Sequence, residues 1–184
     1  MPNYSVTMIR PHMDQIPEFP LPPGFGVRNY RPDEGYIWTQ IQQASEPLFE
    51  IDDQLFHREF GQDYAAMEDR CFFLITDWGE EIGTTTAWWQ QDWRGQEWGR
   101  IHWVAIIPDH QGKRLSKPMM NAAMQRLKAS HDRCFLTTSS KRTVAIKVYL
   151  DFGFRPDLEL ENSHQAWAQV GSILNHPILK EHGF

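Results

Sequence analysis

Cysteine is scarce in this chain: 184 residues contain only Cys71 and Cys134. Each lies in an apolar run, Cys71-Phe72-Phe73-Leu74-Ile75 and Cys134-Phe135-Leu136. A disulfide framework is therefore excluded as the source of stability, and two buried free thiols in a reducing, cytoplasmic setting are expected. No apolar stretch approaches the roughly 18 residues of a membrane span, and the N-terminus lacks a basic-then-apolar leader pattern, so no membrane partner is expected. Besides His102, histidines 12, 57, 110, 131, 164, 176 and 182 show no metal-ligand spacing, and two distant cysteines make no zinc pattern. No metal is expected. The chain is acidic overall and its aromatics fall mostly in strand-like runs, which argues against nucleic acid as a partner.

Acidic charge is nearly missing from one window, where half of the chain's 18 basic residues are concentrated. His110 to Lys147 carries nine basic residues (Lys113, Arg114, Lys117, Arg126, Lys128, Arg133, Lys141, Arg142 and Lys147) against the single acid Asp132. That local excess of +8 leaves −14 for the remainder of a chain with net charge −6. Such a window suits a polyanionic ligand, and acidic surroundings attract a cationic amine; an ordinary solvated helix face is the bland alternative.

What is present reads as mixed α/β. Residues 1–24 hold six of the twelve prolines and are expected to be a proline-rich arm without regular helix, with structure beginning near Phe25 in a single domain over 25–184. The arm would either wrap a neighbouring subunit in a homodimer or be mobile. A helix capped by Asp33 carries Tyr36, Ile37, Ile41 and Ala44, and a second follows Asp52 or Asp53 to Gly61. Cys71 to Thr76 and Ile82 to Gln90 read as paired antiparallel strands, and Arg100 to Ile107 as the next strand. A long helix over Leu115 to Ser130, a strand over Cys134 to Thr138, a helix over Thr143 to Phe152, a strand from Phe154 and a helix over Ser163 to Leu174 complete the order.

Two motifs carry chemistry. After the strand ending at Ile107 comes Pro108-Asp109-His110-Gln111-Gly112-Lys113-Arg114-Leu115-Ser116, a turn entering a helix. A helix that starts after such a loop offers free N–H groups and a positive dipole end, which suits phosphate. About thirty residues on, Ala145-Ile146-Lys147-Val148-Tyr149-Leu150-Asp151-Phe152-Gly153-Phe154 is a short amphipathic helix stopped by glycine.

In this order and at this spacing the two motifs resemble those of the GNAT superfamily of acyl-CoA-dependent N-acetyltransferases. Gln111 to Ser116 stands at the family's Gln/Arg-x-x-Gly-x-Gly/Ala pyrophosphate motif. Ala145, Ile146, Val148, Tyr149, Gly153 and Phe154 meet its Asn-x-x-Ala-(Ile)-x-(Leu)-Tyr-x-x-x-Gly-Phe motif. Arg114 replaces the usual middle glycine, Ser116 a glycine or alanine, and Arg142 the asparagine; a helical φ would accommodate Arg114. The resemblance implies a GNAT-like fold, with a mostly antiparallel sheet that splays after the fourth strand and is flanked by helices. It implies acetyl-CoA as co-substrate and an amine-bearing acceptor.

Site residues follow from the same resemblance. Gln111, Gly112, Lys113, Arg114, Leu115 and Ser116 would hold the pyrophosphate, Ala105, Ile106 and Ile107 would run beside the pantetheine arm, and Arg142, Ala145 and Tyr149 complete the cofactor set. The Ile106 amide is a candidate oxyanion donor. Tyr149 would protonate the leaving thiolate, with core packing as its alternative. His102 is the candidate base, on a period-two strand where Arg100, His102 and Val104 share one face. The alternative is no dedicated base, with water or Glu97 serving. Glu46, Glu50, Asp52 and Asp53 stand where the family often forms an acceptor wall, with a solvated charge run as the alternative, and Trp88, Trp89, Trp93, Trp98 and Trp103 could supply an aromatic floor, with core packing or a dimer contact as the alternative. The reading in competition is a non-catalytic acyl-CoA-binding module.

Overall fold

The computed structural model describes residues 2–184. In chain order the elements are β1 (Ser5–Arg10), β2 (Phe25–Asn29), α1 (Gly35–Ser45), α2 (Leu55–Phe60), α3 (Tyr64–Arg70), β3 (Cys71–Thr76), β4 (Glu81–Trp93), β5 (Gln96–Ile106), α4 (Ser116–Lys128), β6 (Cys134–Ser139), α5 (Thr143–Asp151), β7 (Arg155–Pro156), α6 (Ser163–Gly171) and α7 (Pro177–Glu181). The strands hydrogen-bond in the order β2-β3-β4-β5-β6-β1-β7, mostly antiparallel, with helices flanking them. The chain divides into two compact units: 18–89 with 101–129, and 1–17 with 90–100 and 130–184.

The 18–89/101–129 unit contains β2, α1, α2, α3, β3, most of β4, the second half of β5, and α4. Phe73 and Leu74, neighbours on β3 with opposite-facing side chains, are both fully buried. Phe73 belongs to a cluster with Tyr30, Trp38, Ile41, Phe56, Phe60 and Met67 from the helices. Leu74 belongs to another with Ile82, Leu115 and Met119. Burial on both faces explains why Cys71 to Ile75 is a continuous apolar run rather than an alternating one. Gly83 marks a close approach: a Cβ there would meet the Ala105 carbonyl oxygen at 2.9 Å.

The other unit holds β1, β6, β7, α5, α6 and α7 with the β4–β5 hairpin tip. Here the expectation that structure begins near Phe25 is corrected. Ser5-Val6-Thr7-Met8-Ile9-Arg10 is free of proline and rich in β-branched residues, and Pro2 and Pro11 flank it without interrupting it. It forms β1, antiparallel to both β6 and β7, pairing Met8 with Leu136 and with Pro156. The buried Arg10 guanidinium donates to the Phe152 carbonyl at the end of α5 and to the Asp14 carbonyl. The parallel β5–β6 ladder covers Gly99↔Cys134 and Arg100↔Phe135, and Trp93 stacks on Phe135 at 4.2 Å with ring planes 3° apart.

Local boundaries shift for physical reasons. α1 starts at Gly35 with Glu34 at its cap; Asp33 adopts a left-handed φ of 68° and does not cap it. α3, capped by Asp63 through the Ala66 amide, is an element the sequence pattern did not single out. Its seven residues give too few turns for a hydrophobic period. Among the described residues no helix is long and apolar enough to cross a membrane.

Candidate active site

In the 18–89/101–129 unit, β5 ends at Ile106 and the chain makes a single 3-10 turn over Pro108–His110. Gly112 then takes φ +74° and Arg114 φ +62° before α4 begins. The expectation of a helical φ at Arg114 is thus corrected: the backbone keeps the left-handed conformation that glycine would adopt freely, with arginine in it. Leu115 follows in the right-handed region at φ −87°, ψ −21°. Alternation of left- and right-handed residues is the backbone pattern by which successive N–H groups can face one side. Among the described residues, the amides of Gly112, Lys113, Arg114, Leu115 and Ser116 have no acceptor, and the first helical bond runs from Met119 N–H to Leu115. Pro118, in the first turn, removes a donor that the helix would leave unpaired anyway. Leu115, 1 % exposed, anchors the turn from below.

The strand end is organised around Ile106. Ile107 N–H bonds to the Ile82 carbonyl on β4 at 2.9 Å, so strand alternation turns the Ile106 N–H and C=O away from β4. The Ile106 carbonyl accepts from Gln111 Nε2 at 2.8 Å. Gln111 therefore ties the turn to the strand rather than projecting freely.

Period two fails just upstream. Trp103 sits at φ +49° within β5, an uncommon conformation for a bulky residue that marks a local bulge. Its carbonyl accepts from Gln42 Nε2 of α1 at 3.1 Å. As a result His102 and Trp103, adjacent in sequence, reach the same atom: Glu59 Oε2 lies 2.8 Å from His102 Nε2 and 2.9 Å from Trp103 Nε1. The carboxylate is an acceptor only, so His102 donates from Nε2, and in the neutral ring Nδ1 carries the lone pair. Phe60, Trp103 and burial to 7 % exposure keep that ring in a largely dry setting. Glu59, on α2, was missed in the sequence because nothing in its local pattern sets it apart from neighbouring charged residues.

In the other unit, α5 places Ile146, Tyr149 and Leu150 on its buried face. Tyr149 is 7 % exposed, and its ring meets Phe154 edge-on at 6.2 Å. Burial pushes its phenol up to about 12, against a weaker opposing pull from Arg142. The group therefore holds its proton throughout the neutral range. Arg142 is the cap residue of α5, its side chain making no cap bond; its carbonyl accepts the Ile146 amide, and Ala145 lies in the first turn.

The remaining candidates separate. Glu97 pairs with His131 at 3.3 Å. Asp52 is held by both Arg58 nitrogens at 2.8 and 2.7 Å, Glu46 accepts the Leu48 amide, and Asp53 accepts from Gln43. Of the tryptophans, Trp93 and Trp98 pack together at 4.6 Å in one unit; in the other, Trp88 lies on Trp89 and, with Trp103, packs against the cluster of Trp38 and Phe60. Among the described residues, no group of three His, Cys, Asp or Glu is placed to hold a metal ion.

The site thus lies in a mixed α/β fold, at a turn of acceptor-free amides between the end of β5 and the start of α4. The sequence model of the acetyltransferase (GNAT) family matches residues 36–154, well over half of the chain, and the protein belongs to that family. No curated protein sequence matches. Among solved structures, a GNAT-family acetyltransferase from Colwellia psychrerythraea is similar over 85 % of this chain and 54 % of its own length, at 10 % identity and a TM-score of 0.63. A GCN5-related N-acetyltransferase from Sphaerobacter thermophilus is similar over 84 % and 48 %, at 17 % identity and a TM-score of 0.60. A tandem GNAT protein from the clavulanic acid biosynthesis pathway is similar over 83 % and 50 %, at 15 % identity and a TM-score of 0.57. At these identities the likeness is one of fold, and the chain spans about half the length of these structures.

Proposed function

We propose that the protein is an N-acetyltransferase that moves an acetyl group from acetyl-CoA to a primary amine of a small molecule or protein, by direct attack in a ternary complex. The observation that carries this reading is the row of acceptor-free amides from Gly112 to Ser116, seated by left-handed φ values at Gly112 and Arg114. A diphosphate satisfies several such donors at once, and Lys113 and Arg114 add charge. This fit supports acetyl-CoA as the co-substrate, which supplies the thioester.

The chain's own groups then have separable tasks. His102, oriented by Glu59, accepts a proton from the ammonium so that a neutral amine attacks. The Ile106 N–H, directed away from β4, donates to the oxygen that gains charge. Tyr149, protonated at neutral pH because it is buried, gives its proton to the departing thiolate. A non-catalytic acyl-CoA-binding module would have no use for the Glu59–His102 pair or for a phenol that burial keeps protonated. Thiol release from acetyl-CoA, followed with a panel of amines, tests the reading. Amine-dependent release is expected. Tight binding of CoA without release for any amine would favour the binding module, and failure to bind CoA would remove both.

A further inference from the structure

A cleft of about 460 Å³ opens on the outer side of the α1–α2–α3 layer, and none of the residues assigned to transfer lines it. α1 separates it from β5. Trp38 and Gln42 on the helix's inner face contact Trp103, whereas Tyr36, Gln40 and Gln43 line the cleft. Asp33, Asp53, His57 and Tyr64 contribute further wall, and Tyr30 lies at the floor. Three features of this lining are unexplained by packing. Tyr30 is only 2 % exposed and lines the cleft, and its phenol makes no hydrogen bond among the described residues, which leaves that oxygen available to whatever enters the cleft. Asp33 has no ion-pair partner among the described residues, Asp53 receives only the Gln43 amide at 3.1 Å, and no lysine or arginine lines the cleft. Tyr36 and Tyr64 expose 62 % and 40 % of their surface beside these carboxylates.

We propose that this cleft is a second ligand site, distinct from the transfer site, that binds a primary ammonium on an aromatic or apolar stem. Asp33 and Asp53 accept two of the ammonium hydrogens, and the Tyr30 oxygen accepts the third. The Tyr36 and Tyr64 rings cover the stem and face the cation. Burial holds the Tyr30 phenol protonated, so the floor is neutral and the two aspartates alone set the charge preference. A neutral ligand of the same shape leaves both carboxylates without a counter-charge and is rejected.

Calorimetric titration of the full chain with benzylamine, without acyl-CoA, tests this, with benzyl alcohol as the neutral match. Binding of benzylamine is expected below about 10 mM, at least about tenfold tighter than benzyl alcohol. The Asp33→Asn/Asp53→Asn double variant should weaken it by about tenfold or more, and Tyr30→Phe by a smaller factor. Both aspartates are exposed, so the variant is expected to fold, with an unchanged thermal midpoint as the control. His102→Gln should bind benzylamine as the native chain does. Equal affinity for the alcohol, undiminished binding in the double variant, or loss in His102→Gln instead would overturn the proposal. Benzylamine is itself a primary amine, so the two sites are told apart by the variants: loss in the aspartate double variant with retention in His102→Gln places the amine in the cleft, and the converse places it at the transfer site.

Discussion

Glu59 Oε2 lies 2.8 Å from His102 Nε2 although the two residues are 43 positions apart. The same oxygen takes the Trp103 indole N–H, so a bulge in β5 and one turn of α2 together fix the imidazole in one tautomer. That arrangement makes a strand histidine a candidate base rather than a residue that merely fills space.

His102→Gln should slow amine acetylation by on the order of a hundredfold at neutral pH, the usual contribution of a positioned general base. Glu59→Gln should cost less, since imidazole remains but is no longer held by a full carboxylate. KM for acetyl-CoA should stay constant in both. Steady-state rates across pH 6 to 9 decide; a full rate for His102→Gln throughout would leave water or the amine's own titration as the route.

Tyr149→Phe removes a hydroxyl that makes no hydrogen bond among the described residues, so thermal stability should change little. Turnover should fall by on the order of a hundredfold while the affinity for acetyl-CoA is kept. Rapid-mixing and binding measurements on the variant separate these two quantities, and a native rate would reduce Tyr149 to a packing residue.

Arg114 occupies a left-handed φ that costs a non-glycine residue about 1–2 kcal/mol. Arg114→Gly relieves this and gives back about 0.5–1 kcal/mol in unfolded-chain entropy, for a net gain of roughly 0.5 kcal/mol. Arg114→Val should destabilise, because a β-branched residue fits this region worst. Urea unfolding of the pair should give opposite signs, and the glycine variant should show a raised KM for acetyl-CoA from the lost charge.

Stability should hold through neutral pH and fall in alkali. Burial raises the Cys71 thiol from 9.0 to about 11 and the Tyr30 and Tyr149 phenols from 10.0 to about 12, and it raises Cys134 further. Above pH 9 the unfolded chain loses these protons first, so it binds fewer than the native state and unfolding becomes easier as pH rises. The loss should begin near pH 9 with the thiols, deepen above 10 with the tyrosines, and be shallower in Tyr149→Phe. Thermal midpoints between pH 7 and 11 would show it; a flat profile would mean that these groups are hydrated in the native state.

The two diagnostic motifs were legible in the sequence because each is local. A glycine before a helix start and an amphipathic run stopped by Gly153 act within one or two turns, so periodicity and punctuation expose them. The same holds for the strand pairs around Cys71 to Gln90 and for the helices at α4 and α5, whose ends shifted only by a residue or two. β1 escaped notice because its short proline-free stretch lies among prolines, and only its pairing with β6 and β7 stabilises it. Trp103 escaped because a positive φ leaves no mark in a strand pattern.

The sequence alone determined the family, the glycine-bearing turn ahead of α4 and the helix that carries Tyr149, since backbone preference and hydrophobic period operate over a few residues. Tertiary structure alone decided that Glu59 meets His102, that Arg114 is held in a left-handed conformation, and that Tyr30 floors a cleft with Asp33 and Asp53. Those relationships depend on packing between elements far apart in the chain, where burial and shape override any local preference.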